Sequence, residues 1–220
     1  MLYDGKEVDV IRGDEGSAPL VILNTFQGEG GKVHSLLRSM TSADFSFASI
    51  SGLDWERDMT PWPGPSLTRD GPPMPGEADA YLNALTDKIL PDIRDGFHLC
   101  PSFTIIAGYS LAGLFALYSI YRTDVFDRVV SASGSMWYPG LVDFIGENDP
   151  VGLPDSLYLS LGDRESRTRN PMMSSVERCT REVQGRFEGY GVRTVFESNP
   201  GSHFQDPEGR MARGIAWSLS

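Results

Sequence analysis

The chain has 220 residues, of which 40% are hydrophobic, and a formal net charge of −11 at pH 7. A chain of this length can bury one substantial core and is short for two, so we expect a single domain spanning residues 1–220. The negative charge argues against nucleic acid and anionic membranes as partners, because both would repel it. No basic N-terminal region precedes an apolar run, and no apolar stretch approaches the length of a membrane span, which predicts a cytoplasmic protein.

The first fifty residues predict three strands, a helix and a glycine-rich loop. Alternation over residues 6–12 indicates an edge strand, and the continuous apolar run 18–23 indicates a strand buried on both faces. The loop 24–31 leads into a helix that ends near Met40, and another strand is predicted over residues 44–51. The loop lacks the leading glycine and the trailing Ser or Thr of a phosphate-binding P-loop, so we do not interpret it as a phosphate site.

A stretch rich in proline and glycine, residues 52–75, follows the strand at 44–51. Its composition is typical neither of a helix nor of a central strand. A linker is the simpler interpretation, but a linker rarely carries two tryptophans, and this stretch contains Trp55 and Trp62. We therefore interpret it as a partly rigid loop that forms a wall of a substrate pocket.

The segment 103–119 has the pattern of a nucleophile elbow. A short apolar run turns over Gly108-Tyr-Ser110 and enters a helix whose apolar residues recur at helical spacing. Where a strand and a helix nearly touch, the residues two before and two after the serine must be small, and here they are Gly108 and Ala112. Gly113 keeps the helix start close to the sheet. The pattern predicts a nucleophilic Ser110, and the alternative is a serine that only caps the helix.

Helices and strands alternate through the rest of the chain, which favours an α/β fold. An amphipathic helix is predicted from Glu77 to Ile93, and Pro91 would end or kink it. Beyond the elbow, strands are predicted at residues 128–133, 156–161 and 192–197, and helices at 172–188 and 207–218.

Two loops after the later strands carry residues that would complete a catalytic triad. A serine nucleophile needs a base and an acid. In α/β folds with a nucleophile elbow, the acid and then the histidine follow the serine along the chain, each on a loop at the carboxyl end of a strand. His203 follows the last strand and is the predicted base, with a surface-loop histidine as the alternative. Glu165 is the preferred acid, because the third residue past Gly162 would point back toward the histidine, and Asp163 is the alternative acid.

Backbone amides and aromatic side chains complete the predicted site. The amide of Leu111, directly after the nucleophile, would be one oxyanion donor, and the amide of Phe26 or of Gln27 would be the other. Three tryptophans are candidates for substrate binding, although a tryptophan packed within its own loop is an equal alternative for the third of them; they are Trp55, Trp62 and Trp137. No Cys/His cluster has metal-ligand spacing, so we expect no metal and no cofactor.

Four segments resemble the "Putative esterase" family of α/β-hydrolases, the group of esterase D and the siderophore esterases. They are Gly108-Tyr-Ser-Leu-Ala-Gly113, Gly134-Ser-Met-Trp137, Gly162-Asp-Arg-Glu165 and Ser202-His-Phe204. The resemblance implies a three-layer α/β-hydrolase fold with a mostly parallel central sheet, helices on both faces and no large cap domain. It also implies a serine hydrolase that cleaves small-molecule carboxylic esters through a Ser-His-acid triad and an acyl-enzyme.

Other functions are compatible with the same residues. A serine peptidase or an acyltransferase would use the same machinery, because pocket shape and water access decide what accepts the acyl group. A catalytically idle binding module with this fold is a third alternative, although such a module has no reason to keep serine, histidine and acid in register.

Overall fold

The computed structural model describes residues 1–67 and 71–220. Within them, eight strands form one sheet in the order β1-β2-β4-β3-β5-β6-β7-β8. The strands are β1 (Leu2–Tyr3), β2 (Lys6–Ile11), β3 (Leu20–Asn24), β4 (Ser46–Ser51), β5 (Thr104–Tyr109), β6 (Arg128–Ala132), β7 (Ser156–Gly162) and β8 (Arg193–Asn199). The pairings β1 with β2 and β2 with β4 are antiparallel, and every other pairing is parallel. The predicted mostly parallel sheet is confirmed.

The α-helices lie between the strands in the sequence, except for the last helix, which follows the last strand. They are α1 (Gly30–Met40), α2 (Trp55–Asp58), α3 (Ala78–Ala84), α4 (Leu90–Gly96), α5 (Leu111–Ser119), α6 (Leu141–Glu147), α7 (Val176–Gly189) and α8 (Pro207–Leu219). A 3₁₀ turn at Met173–Ser175 precedes α7. The connection between β6 and β7 holds only the short helix α6, so no cap domain is inserted there.

Two apolar layers cover the sheet. On one face, α1 and α8 pack over strand residues such as Val21 and Ile105. On the other face, α3, α4, α5, α6 and α7 pack over the alternate residues of the same strands, such as Ile22 and Ile106. Because successive strand residues point to opposite faces, one continuous apolar run supplies both layers.

The helical region after the proline-rich loop is longer than predicted. It does not end at Pro91: a π-helical turn over Leu85–Ile89 joins α3 to α4, and the helix runs on to Gly96. Proline cannot donate a backbone hydrogen bond, and its ring crowds the carbonyl of the preceding turn. A wider turn just before Pro91 makes room for the ring, so the helix continues.

The proline-rich loop has more regular structure than its composition suggests. Its first residues form the single turn α2, and a bridge pairs Gly64 with Met74. The predicted pocket wall includes residues 68–70, which lie outside the described residues. In the part of the chain that the structure describes, no helix is long and apolar enough to cross a membrane.

Candidate active site

The predicted nucleophile elbow is a sharp turn that joins β5 to α5 at Ser110. This residue has φ 58° and ψ −121°, a backbone conformation that costs a non-glycine residue about 1–3 kcal/mol. A Cβ added to Gly108 would lie 2.6 Å from the Cβ of Ala112, which is closer than two carbons can approach. The small residue at position 108 is therefore a steric requirement of the elbow. All nine residues of α5 are buried, so this helix is apolar all round rather than amphipathic.

Loops at the carboxyl edge of the sheet bring the three candidate catalytic side chains together. His203, after β8, has its Nε2 3.1 Å from the Oγ of Ser110. Its Nδ1 lies 2.7 Å from Oε2 of Glu165, which follows β7. The three groups form one hydrogen-bonded chain with a partly exposed histidine and a buried carboxylate, whose side chains are 29% and 4% exposed. This is the geometry in which a base can take a proton from a serine hydroxyl.

Donors surround the second oxygen of the Glu165 carboxylate. Oε1 accepts from the Oγ of Ser133 at 2.8 Å, from the amide of Gly162 at 2.6 Å and from Nη1 of Arg210 at 2.9 Å. Burial alone would raise the pKa of Glu165, but the hydrogen bonds and charge at His203, with those from Gly162 and Ser133, outweigh it and lower the pKa. The carboxylate is therefore kept ionised beside the histidine.

Asp163, the alternative acid, lies against the backbone of a neighbouring loop. Its Oδ1 accepts the amide of Gly201 at 2.8 Å, and its own amide donates to the carbonyl of Asn199. These contacts brace the loop that leads to His203. The structure thus places Glu165 beside His203, and places Asp163 among backbone groups.

The two candidates for the second oxyanion donor already have a partner. The amides of Phe26 and Gln27 both donate to the carboxylate of Glu29, at 3.0 and 2.8 Å. Leu111 begins α5, so its amide belongs to the first helical turn, where no intrahelical carbonyl is available to accept it. Both Phe26 and Gln27 line a cavity that contains Ser110, and the geometry does not distinguish between them.

Two cavities meet at Ser110 and His203. The first, of about 610 Å³, is lined by Phe26, Trp55, Phe204 and Met211 together with polar side chains that include three glutamates. The rings of Phe26 and Trp55 are in edge contact, with centroids 5.0 Å apart. The second cavity, of about 450 Å³, is lined by residues that include Trp137, Ser135 and Arg164. Ser110 therefore lies between two cavities, one on each side of its hydroxyl-bearing turn.

Trp62 does not reach this site. Its ring packs on Phe144, with centroids 5.3 Å apart, and its Nε1 donates to the carbonyl of Pro139 at 2.8 Å. The described residues that line the two cavities include Trp55 and Trp137 and do not include Trp62. Trp62 is therefore not one of the described residues around these two cavities, and its aromatic neighbours hold it over α6.

Sequence reasoning missed Arg210 on α8, which is fully buried and donates to Glu165, Ser133 and Tyr109. A charged residue among the apolar positions of an amphipathic helix was the available signal, because a buried arginine needs a carboxylate partner.

Among residues 1–67 and 71–220, no cluster of three or more His, Cys, Asp or Glu side chains could hold a metal ion.

A mostly parallel sheet with a strained serine between a strand and a helix defines an α/β-hydrolase. Solved structures share this fold over nearly the whole chain. The siderophore hydrolase EstA from Aspergillus nidulans is 17% identical with a TM-score of 0.73, and the superposition covers 98% of this chain and 94% of the EstA chain. An IroE-like serine hydrolase from Shewanella oneidensis is 16% identical with a TM-score of 0.77, and the superposition covers 97% of this chain and 75% of the hydrolase chain.

The family model described as "Putative esterase" matches residues 49–200, and the chain belongs to that family. The predicted resemblance is confirmed. Membership makes the protein a hydrolase that acts on esters. A relative from Bacillus subtilis, described as the uncharacterized protein YbbA, is 23% identical in an alignment of 177 residues that covers 77% of this chain and 71% of YbbA. The enterobactin esterase FES from Shigella flexneri is 21% identical with a TM-score of 0.69, and this chain spans 55% of its length.

Proposed function

We propose that the protein is a serine esterase that works through a Ser110-His203-Glu165 triad and an acyl-enzyme. The observation that carries this proposal is the continuous hydrogen-bonded chain from the Ser110 hydroxyl through both nitrogens of His203 to the Glu165 carboxylate. The strained elbow supports it, because a serine held at φ 58° presents its side chain at the sheet edge at an energetic cost that a merely structural serine would not justify.

In the acylation step, Ser110 attacks the ester carbonyl while Nε2 of His203 takes the hydroxyl proton. Glu165 holds Nδ1 and stabilises the imidazolium that forms. His203 then gives its proton to the leaving alcohol, and the acyl group stays on Ser110. In the second half of the cycle, water attacks the acyl-enzyme with His203 again acting as the base, which releases the acid and regenerates the serine.

The oxyanion of each tetrahedral intermediate is held by the Leu111 amide and by the amide of Phe26 or Gln27. Each such donor contributes about 3 kcal/mol of transition-state stabilisation. The Glu29 carboxylate accepts a hydrogen bond from each of the two candidate amides. One of these hydrogen bonds must therefore be exchanged for a hydrogen bond to the substrate oxygen. We therefore include release of Glu29 from one amide in the proposed catalytic cycle.

The substrate we propose is a small-molecule ester whose two substituents occupy the two cavities. The aromatic edges of Phe26 and Trp55 in one cavity and the ring of Trp137 in the other favour flat substituents, such as aromatic or sugar groups. The net charge of −11 argues against a polyanionic substrate such as nucleic acid.

The proposal is tested by labelling with a fluorophosphonate probe and by hydrolysis of p-nitrophenyl acetate. Wild-type protein should be labelled and active, and Ser110→Ala should be neither. Ser39→Ala is the matched control, because the hydroxyl of Ser39 lies on α1 and donates only to the carbonyl of Leu36. Folded wild-type protein that is not labelled would overturn the proposal in favour of a binding module. Transfer of the acyl group to an added alcohol in preference to water would instead indicate an acyltransferase.

A further inference from the structure

We propose that Arg210 is a positioning residue for this triad, whose guanidinium holds the acid and the histidine loop in register. The inference rests on the proposed serine esterase function. Arg210 is the largest fully buried side chain of the described residues, with none of its surface exposed. Burying a guanidinium is costly unless it is paired and hydrogen-bonded, so its partners indicate what the arginine is for.

One nitrogen of the guanidinium contacts the acid. Nη1 donates to Oε1 of Glu165 at 2.9 Å and to the Oγ of Ser133, which itself donates to that same carboxylate oxygen. With Oε1 taken by these donors and by the Gly162 amide, Oε2 is the oxygen that faces His203. Arg210 thus selects the carboxylate rotamer that the triad needs.

The other nitrogen holds the loop that carries the histidine. Nη2 donates to the carbonyls of Pro200 and Ser202, both at 3.1 Å, just before His203 in the chain. Nη1 is also 3.2 Å from the hydroxyl of Tyr109, which donates to the carbonyl of His203 at 2.6 Å. A single planar group therefore ties the end of β5, the loop after β7 and the loop after β8 to one another.

Lysine cannot reproduce this arrangement. An ammonium group is a single point donor, whereas the guanidinium presents two nitrogens in a fixed plane, one toward the acid and one toward the loop. Arg210→Lys would keep the positive charge and lose one of the two sets of contacts. A shift of the histidine by about 1 Å relative to the acid and the serine would cost about 100-fold in rate.

The test compares Arg210→Lys with Arg213→Lys, which lies on the same helix and whose partners, Glu197, Asp206 and Asn199, include no residue of the triad. We expect kcat for p-nitrophenyl acetate, per folded molecule, to fall about 100-fold in Arg210→Lys with KM little changed, and to stay at the wild-type value in Arg213→Lys. Arg210 is not among the described residues that line either cavity, which is why KM should not move.

A second readout separates positioning from stability. The Nδ1 proton of His203, shared with a carboxylate, should give a far-downfield proton resonance in the wild type, and this resonance should shift or disappear in Arg210→Lys. If both the resonance and kcat per folded molecule are unchanged while only the melting temperature drops, Arg210 is structural and the inference fails.

If Arg210→Lys does not fold, Tyr109→Phe decides. That variant removes only the hydroxyl that connects Arg210 to the His203 carbonyl. A lower kcat with a shifted His203 resonance would support the inference, and wild-type values for both would overturn its claim that Arg210 holds the histidine loop through Tyr109. Failure of the proposed function looks different, because wild-type protein would then resist fluorophosphonate labelling.

Discussion

Replacing Glu165 by glutamine should inactivate the enzyme by reversing a hydrogen bond. The three partners of Oε1, which are Ser133, Gly162 and Arg210, all donate to it. The glutamine carbonyl oxygen must therefore occupy the Oε1 position, and the amide nitrogen must take the place of Oε2 and point at His203. An NH₂ group facing Nδ1 favours the tautomer that carries its proton on Nε2, and that nitrogen then cannot accept the proton of Ser110.

The expected loss is large. The corresponding change from acid to amide in a serine protease triad lowers kcat about 10⁴-fold. This corresponds to about 5 kcal/mol of transition-state stabilisation. Glu165→Ala should lose less activity than Glu165→Gln, because without a donor facing Nδ1 the imidazole can still adopt the productive tautomer. The order of the two variants, with alanine more active than glutamine, is specific to this geometry.

The assay is hydrolysis of p-nitrophenyl acetate, with the folded fraction of each variant measured by circular dichroism. Asp163→Asn is the matched control, because the asparagine carbonyl can still accept the hydrogen bond that the Gly201 amide donates to Asp163. This control should keep kcat near the wild-type value. A Glu165→Gln variant within tenfold of wild type would refute the reasoning, and a large loss confined to Asp163→Asn would assign the acid to Asp163.

Two further predictions concern the loops around Ser110. Glu29→Gln should raise kcat severalfold in the same assay, because it removes a negative charge from the amides that receive the oxyanion; an unchanged or lower kcat would mean that Glu29 mainly orders the loop. Trp55→Ala should raise KM for aryl esters, whereas Trp62→Ala should leave KM unchanged and lower the free energy of unfolding by about 3 kcal/mol in urea titrations. Equal KM effects of the two tryptophan variants would contradict the placement of Trp62 outside the cavities.

The sharp strand-to-helix turn at Ser110 could be predicted from sequence because its steric requirements are local. Small residues at Gly108 and Ala112, a β-branched strand before them and an apolar helix after them are all set by the steric contact within one segment. The alternation of helices and strands was readable for a similar reason, since each element shows its own periodicity. The sequence left open whether Pro91 ends or kinks the helix, because the π-helical turn that accommodates the proline is not encoded by that residue alone.

The amino-acid sequence by itself determined the α/β class, the elbow and the order of serine, acid and histidine. The tertiary structure alone decided which carboxylate faces His203, because Glu165 and Asp163 are two residues apart and their contacts depend on how two distant loops meet. It also decided that Trp62 packs away from the cavities. The contacts of Arg210 depend most on the tertiary structure. The partners that justify its burial come from segments up to 101 residues away along the chain, and no local sequence pattern indicates them.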